Sequence, residues 1–260
     1  MSVAVILPAR LESTRLPRKL LLRQTGKTVL AHTVEKALAA QAASAGRIVS
    51  VTVACDAPEL AAEATRAGAQ AVMTSPLCAS GSDRAAEAAA QIDAAMIVNV
   101  QADEPEIEPE YILTVARLLA DDPTAAMATL AAPIFDEEKW RKPGVVKVAR
   151  DRHKRALLFS RAPIPFIREP EEERRSPAWT DSTTGRRIFG LQHLGLYAYR
   201  RDFLLSYAAL PPSTLEKLEK LEQLRALEAG RVILVEVVPE HPPGIDTPED
   251  YAAFVRRYRG

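Results

Sequence analysis

Apolar positions in the first half of the chain alternate between two rhythms. Short, nearly unbroken aliphatic runs at 3–7, 48–54, 71–74 and 96–100 predict buried strands. Between them, segments at 28–41, 57–66, 82–91 and 109–119 carry apolar residues at helical spacing, the last with Pro109 near its start. Repeated strand–helix units predict a parallel sheet with helices on both faces, because parallel neighbours need crossover connections.

The rhythm changes in the second half. Residues 127–132, 145–149, 156–159 and 194–199 read as strands separated by loops, and 169–187 is charged and turn-rich, with Pro170, Pro177 and Gly185, and is expected to be mobile. A helix over 213–229, a strand over 232–237 and a helix over 247–258 return the chain to α/β. The expected class is therefore α/β: a Rossmann-like three-layer α/β/α sandwich with a mostly parallel central sheet and a smaller β-rich subdomain. One domain is expected, its α/β core being 1–132 and 200–260 and the subdomain about 133–199.

Composition narrows the function. At 260 residues, 47% of them hydrophobic, the chain has material for a real core. Lys and Arg number 34 against 34 Asp and Glu, so the formal net charge is +0 and nothing draws the whole molecule toward nucleic acid or an anionic membrane. Met1-Ser2-Val3 leads at once into a strand, and no run approaches the length of a membrane span, so a cytoplasmic protein is expected. Cys55 and Cys78 make neither a disulfide framework nor a zinc site, and the histidines are scattered. Gly26-Lys27-Thr28 resembles the tail of a phosphate-binding P-loop, but Leu21 stands where its first glycine belongs. Neither G-x-G-x-x-G nor G-x-S-x-G occurs, which removes the main support for dinucleotide oxidoreductases and α/β-hydrolases.

Two kinds of strand end carry the candidate chemistry. The first strand runs into Leu7-Pro8-Ala9-Arg10-Leu11-Glu12-Ser13-Thr14-Arg15-Leu16-Pro17-Arg18-Lys19, which gathers cations and hydroxyls where open α/β sheets bind ligands. Arg10, Arg15, Arg18 and Lys19 suit an anion, several phosphates among them, although a solvated basic turn has the same composition. The strand at 96–100 ends in Gln101-Ala102-Asp103-Glu104-Pro105 at the same sheet edge, and a second acidic tip follows at Asp246-Thr247-Pro248. Carboxylates beside polyphosphate repel it unless a divalent cation bridges them, which makes Asp103 the first metal-ligand candidate and Asp246 the second. Asp103-Glu104-Pro105 also suits a helix cap, and Thr247 suits one ahead of Pro248. Ser80-Gly81 before a helix offers hydroxyl and loop amides to an anion or a base edge. In the 213–229 segment, leucines every third residue spiral over roughly 240° of a helix, and Glu222 falls inside the apolar arc, where it needs Arg225 or a polar ligand. Arg161 ends an apolar strand; His193 and Tyr197 share a strand face and by pattern alone suit core or surface.

Taken together these segments resemble the 3-deoxy-manno-octulosonate (Kdo) cytidylyltransferases, or CMP-Kdo synthetases. The resemblance rests on Pro8-Ala9-Arg10, Ser13-Thr14-Arg15-Leu16-Pro17 and Lys19, Ser80-Gly81, Asn99-Val100-Gln101 with Asp103-Glu104-Pro105, and Val146-Lys147-Val148. It continues through Phe159-Ser160-Arg161-Ala162, His193-Leu194-Gly195 with Tyr197, Leu221-Glu222-Gln223-Leu224-Arg225 and Asp246-Thr247-Pro248-Glu249-Asp250. It implies a nucleotidyltransferase fold, usually dimeric, that makes CMP-Kdo and diphosphate from CTP and Kdo with Mg²⁺ for lipopolysaccharide. It further implies that Leu7, Pro8, Ala9, Arg10, Ser13, Ser80, Gly81 and Gln101 bind the nucleotide with Arg15 and Lys19. By the same resemblance Lys19, Arg15 and Asp103 are catalytic, Asp103 and Asp246 ligate the metal, and Gln101, Arg161, His193, Tyr197, Glu222 and Gln223 line the sugar site. Ala102 and Gln192 stand where relatives often have Gly and Arg. A cytidylyltransferase for sialic acid or 8-amino-Kdo would keep the CTP and metal residues; a nucleotide sensor without turnover would not need Asp103 and Asp246 together.

Overall fold

The aliphatic run after Met1 forms β1 (Val3–Ala9), in which Val3, Ala4, Val5, Ile6 and Leu7 are all buried, as a central parallel strand requires. In the computed structural model, which describes residues 1–78, 80–168, 180–207 and 209–259, it is followed by α1 (Val29–Ala43), β2 (Ile48–Cys55), α2 (Pro58–Arg66), β3 (Gln70–Met73), α3 (Gly81–Ala89), β4 (Met96–Asn99) and α4 (Pro109–Asp121). Local chemistry starts these helices: the Thr28 hydroxyl accepts from the Ala31 amide at the head of α1, the Ser80 hydroxyl caps α3, and Pro58 and Pro109 occupy the first turns of α2 and α4. The second half contains β5 (Met127–Ile134), α5 (Glu137–Arg141), β6 (Lys147–Arg150), β7 (Ala156–Ser160), β8 (Gly190–Arg200), α6 (Arg201–Tyr207), α7 (Thr214–Glu219), α8 (Gln223–Glu228), β9 (Ile233–Val237) and α9 (Pro248–Arg259). The short helices α5 and α6 have too few residues to register as a periodic pattern. The expected mobile segment falls largely on 169–179, outside the described residues.

The chain divides into two compact units. The first comprises Met1–Pro123, Leu196–Ala209 and Pro242–Gly260. Its strands follow the order β3, β2, β1, β4, all parallel, and the second half of β8 then runs antiparallel to β4, with Tyr197 opposite Asn99. Connections from β1 to β2 and from β2 to β3 step one way across the sheet, whereas β3 to β4 steps back. Right-handed crossovers therefore put α1 and α2 on one face and α3 on the other. The order reverses between β1 and β4, the position at which open α/β sheets form a ligand crevice.

The second unit comprises Thr124–Gly195 and Leu210–His241. In it β5 and β9 pair in parallel, and β6 pairs antiparallel with β7 and with the first half of β8. Ile134, Trp140 and Phe189 form a buried cluster. Gly190 passes so close to it that a Cβ there would lie 2.8 Å from the Ile164 carbonyl oxygen. These limits differ from the expected boundaries near 132 and 200. The pairing of β5 with β9 draws the segments before 133 and after 209 into the second unit, and such long-range pairing has no local signature in the sequence.

The helix expected over 213–229 is two helices. Ser213 and Glu216 make a capping box at the head of α7, and Lys220 then adopts a left-handed conformation (φ 53°) that ends it. Leu215 and Leu218 face solvent while Leu221 and Leu224 are buried, so the row of leucines serves two faces of a bent segment rather than one spiral. Arg225, one of the two partners expected for Glu222, makes a two-pronged pair with Glu216, at 2.5 and 2.8 Å, across the bend.

Candidate active site

Within the first unit the basic loop and both acidic tips meet. The Lys19 ammonium donates to Asp103, to the Ile245 carbonyl at 2.9 Å and to Asp246 Oδ1 at 3.2 Å; Arg15 reaches the same Asp246 oxygen at 3.0 Å. The Ile245 amide donates to the Asp103 carbonyl at 2.9 Å, so the two acidic tips are also tied through their backbones. Arg18, the fourth cation of the loop, instead turns to Glu59 on α2 at 3.0 Å, and Arg10 is exposed at the loop's start.

Asp103 does not cap a helix, since α4 begins only after Glu108. Thr247 does the capping at the second tip: its hydroxyl accepts from the Asp250 amide while the Asp250 carboxylate accepts from the Thr247 amide and hydroxyl. Asp246 thus remains available to the cations. Glu104 sits beside both aspartates, and its pKa is pushed up to about 8, first by burial and then by the charges of Asp103 and Asp246.

The candidate nucleotide residues gather nearby. Gly81 at the head of α3 approaches so closely that a Cβ there would meet the Pro8 ring at 3.5 Å and the Gln101 amide at 3.6 Å. Ser80 caps α3 through the Asp83 amide at 3.0 Å. Sequence reasoning missed Asp56, at the end of β2. One of its oxygens accepts from the Leu11 amide at 2.9 Å and the other from buried Arg84 at 3.1 Å, tying the start of the basic loop to α3. The available signal was a carboxylate at the same strand edge as Asp103.

A cytidylyltransferase family profile matches residues 4–233. A 3-deoxy-manno-octulosonate cytidylyltransferase of Rhodopirellula baltica is 47% identical over 99% of this chain and 98% of its own length, and one of Syntrophotalea carbinolica is 45% identical over the whole of both. This chain belongs to the 3-deoxy-manno-octulosonate cytidylyltransferase family. A solved CMP:2-keto-3-deoxy-manno-octonic acid synthetase complexed with CTP superimposes with a TM-score of 0.87 at 35% identity, covering 100% of this chain and 99% of that one. The α/β fold with its mostly parallel sheet is accordingly the nucleotidyltransferase fold of the CMP-Kdo synthetases.

Of the residues that the CMP-Kdo synthetase resemblance assigns to the sugar, Gln101 and Tyr197 lie in the first unit and Arg161, His193, Glu222 and Gln223 in the second. Arg161 directs its guanidinium to the carbonyl oxygens of Glu219 (2.7 Å), Pro143 (3.1 Å) and Lys220 (3.4 Å). Glu222 and Gln223 open α8, Gln223 being buried. His193 is buried, with Nε2 3.0 Å from the Thr129 hydroxyl and the Phe159 ring edge-on at 5.1 Å. Burial, and then the charge of His241, depress its pKa to about 3.

A depressed histidine pKa has a measurable consequence. Below the ordinary value of about 6.5 the unfolded chain takes up a proton that the fold refuses until about pH 3, so stability falls with pH across that window, by at most about 1.4 kcal/mol per pH unit. Urea titrations between about pH 4 and 6.5 are expected to show a shallower loss in His193→Gln than in the wild type. Equal slopes would place the His193 proton elsewhere.

Proposed function

We propose that this chain transfers the cytidylyl group of CTP to 3-deoxy-D-manno-octulosonate, releasing diphosphate and forming CMP-Kdo for lipopolysaccharide biosynthesis, as a cytoplasmic Mg²⁺-dependent homodimer. The observation that carries the reading is the convergence of Lys19, Arg15, Asp103 and Asp246 at the switch point of the sheet in a chain that matches a 3-deoxy-manno-octulosonate cytidylyltransferase over 98% of its length. Among the described residues no helix is long and apolar enough to cross a membrane.

The donor set fits magnesium. Two carboxylates already converge on one cationic centre, and the described residues contain no group of three or more potential ligands; Mg²⁺ beside nucleotide characteristically takes one or two carboxylates and fills the rest of its shell with phosphate and water oxygens. Asp103 and Asp246 would hold it, and bound there it would neutralise phosphate charge. Arg10, Arg15 and Lys19 hold the triphosphate, while Leu7, Pro8, Ala9, Ser13, Ser80, Gly81 and Gln101 bind the nucleoside end. The anomeric hydroxyl oxygen of Kdo attacks the α-phosphorus in line, the bond from that phosphorus to the bridging oxygen breaks, and the hydroxyl proton passes to solvent as diphosphate leaves. Lys19 and Arg15 oppose the charge that accumulates on the phosphoryl and leaving oxygens, and alignment by Gln101, Arg161, His193, Tyr197, Glu222 and Gln223 supplies most of the remaining acceleration.

The direct test is diphosphate release from CTP with Kdo, 8-amino-Kdo and sialic acid, each with Mg²⁺ and with EDTA. Release with Kdo that EDTA abolishes is the expected result. No release with any sugar overturns the enzymatic reading in favour of a nucleotide-binding module, and release with sialic acid but not Kdo overturns the substrate.

A further inference from the structure

The bend between α7 and α8 is held against the end of β7 by Glu219 and Arg161. Both carboxylate oxygens of Glu219 are engaged at the end of β7: one accepts from the Ser160 hydroxyl at 2.6 Å and the other from the Arg161 amide at 2.9 Å. The Glu219 carbonyl accepts in turn from Arg161 Nε at 2.7 Å, so the strand end and the bend grip each other in both directions. Behind them Lys147, fully buried, donates to the carbonyls of Arg161 (2.5 Å), Val145 (2.6 Å) and Lys142 (3.0 Å), which fixes the backbone that Glu219 holds. Burial opposes the Glu219 charge, but the hydrogen bonds from Ser160 and Arg161, with the charges of Arg161 and Lys147, keep its carboxyl below the usual range.

Directly after this clamp comes Lys220, left-handed, and then Leu221, Glu222 and Gln223. A continuous helix would turn Glu222 and Gln223 by helical periodicity onto a face set by α7; the bend breaks that periodicity, and the direction of the two residues then depends on what holds the bend, the grip of Glu219 on the end of β7 together with the Arg225–Glu216 pair. We propose that Glu219 is a positioning residue for the sugar substrate, holding Glu222 and Gln223 in place through the bend. The inference rests on the proposed role of those two residues at Kdo. The clamp belongs to the second unit and the nucleotide residues to the first, so the effect is expected on the sugar substrate rather than on CTP.

The test is a comparison of Glu219→Ala, Glu219→Gln and wild type in steady-state kinetics with Kdo and CTP varied separately, together with amide hydrogen exchange over 220–225. Glu219→Ala is expected to raise KM for Kdo about tenfold and to lower kcat/KM for Kdo by up to about a hundredfold, with KM for CTP within about twofold of wild type and faster exchange over 220–225. Glu219→Gln recovers most of the loss, since its amide oxygen still accepts from the Arg161 amide and its NH₂ donates to the Ser160 hydroxyl. If Glu219→Ala does not fold, Ser160→Ala is expected to shift the same parameters less far. Equal changes in both KM values, or no change in exchange over 220–225, overturn the proposal. A wild-type chain inactive with CTP and Kdo overturns the proposed activity instead, and the exchange measurement, which needs no turnover, separates the two failures.

Discussion

Replacing Asp103 by Ala is expected to lower kcat/KM for CMP-Kdo formation about a thousandfold, or ~4 kcal/mol at the transition state. The expectation follows from where the carboxylate stands: at the end of β4, next to the reversal in strand order, with Lys19 already bound to it and Asp246 sharing that same ammonium. Removing it leaves Asp246 as the one carboxylate on the Lys19 ammonium to hold a divalent cation against the triphosphate. Asp103→Asn keeps the shape and one acceptor oxygen but not the charge, so it is expected to fall between Ala and wild type. The fold itself should tolerate the change. Asp103 is 28% exposed, and a partly solvated ion pair contributes no more than about 1 kcal/mol. Diphosphate release measured beside thermal melting separates the two effects; activity within about tenfold of wild type would remove Asp103 from the metal site.

Lys19→Met should cost about a hundredfold or more in kcat, ~3 kcal/mol, with a smaller rise in KM for CTP, because a charge aimed at developing negative charge acts mainly in the transition state. The arginine replacement is the informative control. Lys19 Nζ sits among three oxygens, those of Asp103, Ile245 and Asp246, and is 13% exposed, which suits a compact ammonium with three rotatable donors rather than a planar fork. Lys19→Arg is therefore expected to recover little. Full activity in Lys19→Arg would show that only net charge at this position matters and would detach the residue from the reacting phosphoryl group.

Much of this site is visible in the residues themselves. Cations directly after the β1 run, carboxylates directly after the β4 run and a second acidic tip before Pro248 are all visible as charged breaks after apolar runs, and parallel strands ending on one side bring the first two together. Even the division of labour at the last tip, with Thr247 capping and Asp246 left to the cations, follows from the chemistry of helix starts. Other features escape any local rule. Arg18 is as cationic as Lys19, and only a left-handed turn and the nearby Glu59 send it away from the acidic tips. Asp56 and Arg84 are far apart in sequence and meet only because β2 and α3 pack on the same sheet. The leucine row that suggests one helix over 213–229 hides a bend, because periodicity records which positions are apolar but not whether they face one surface or two.

The sequence by itself determined the α/β class, the order of strands and helices in the first half, the family, and the cationic and acidic character of the strand ends. Those are set by patterns within a few turns of chain and by residues whose neighbours in sequence are also their neighbours in function. Tertiary structure alone decided the limits of the second unit, the pairing of Arg225 with Glu216, the commitment of Arg161 to the carbonyls around Glu219 and the depressed pKa of His193. Each of these depends on which partners and how much solvent reach a side chain after distant segments have packed, and on that a local pattern of polar and apolar residues is silent.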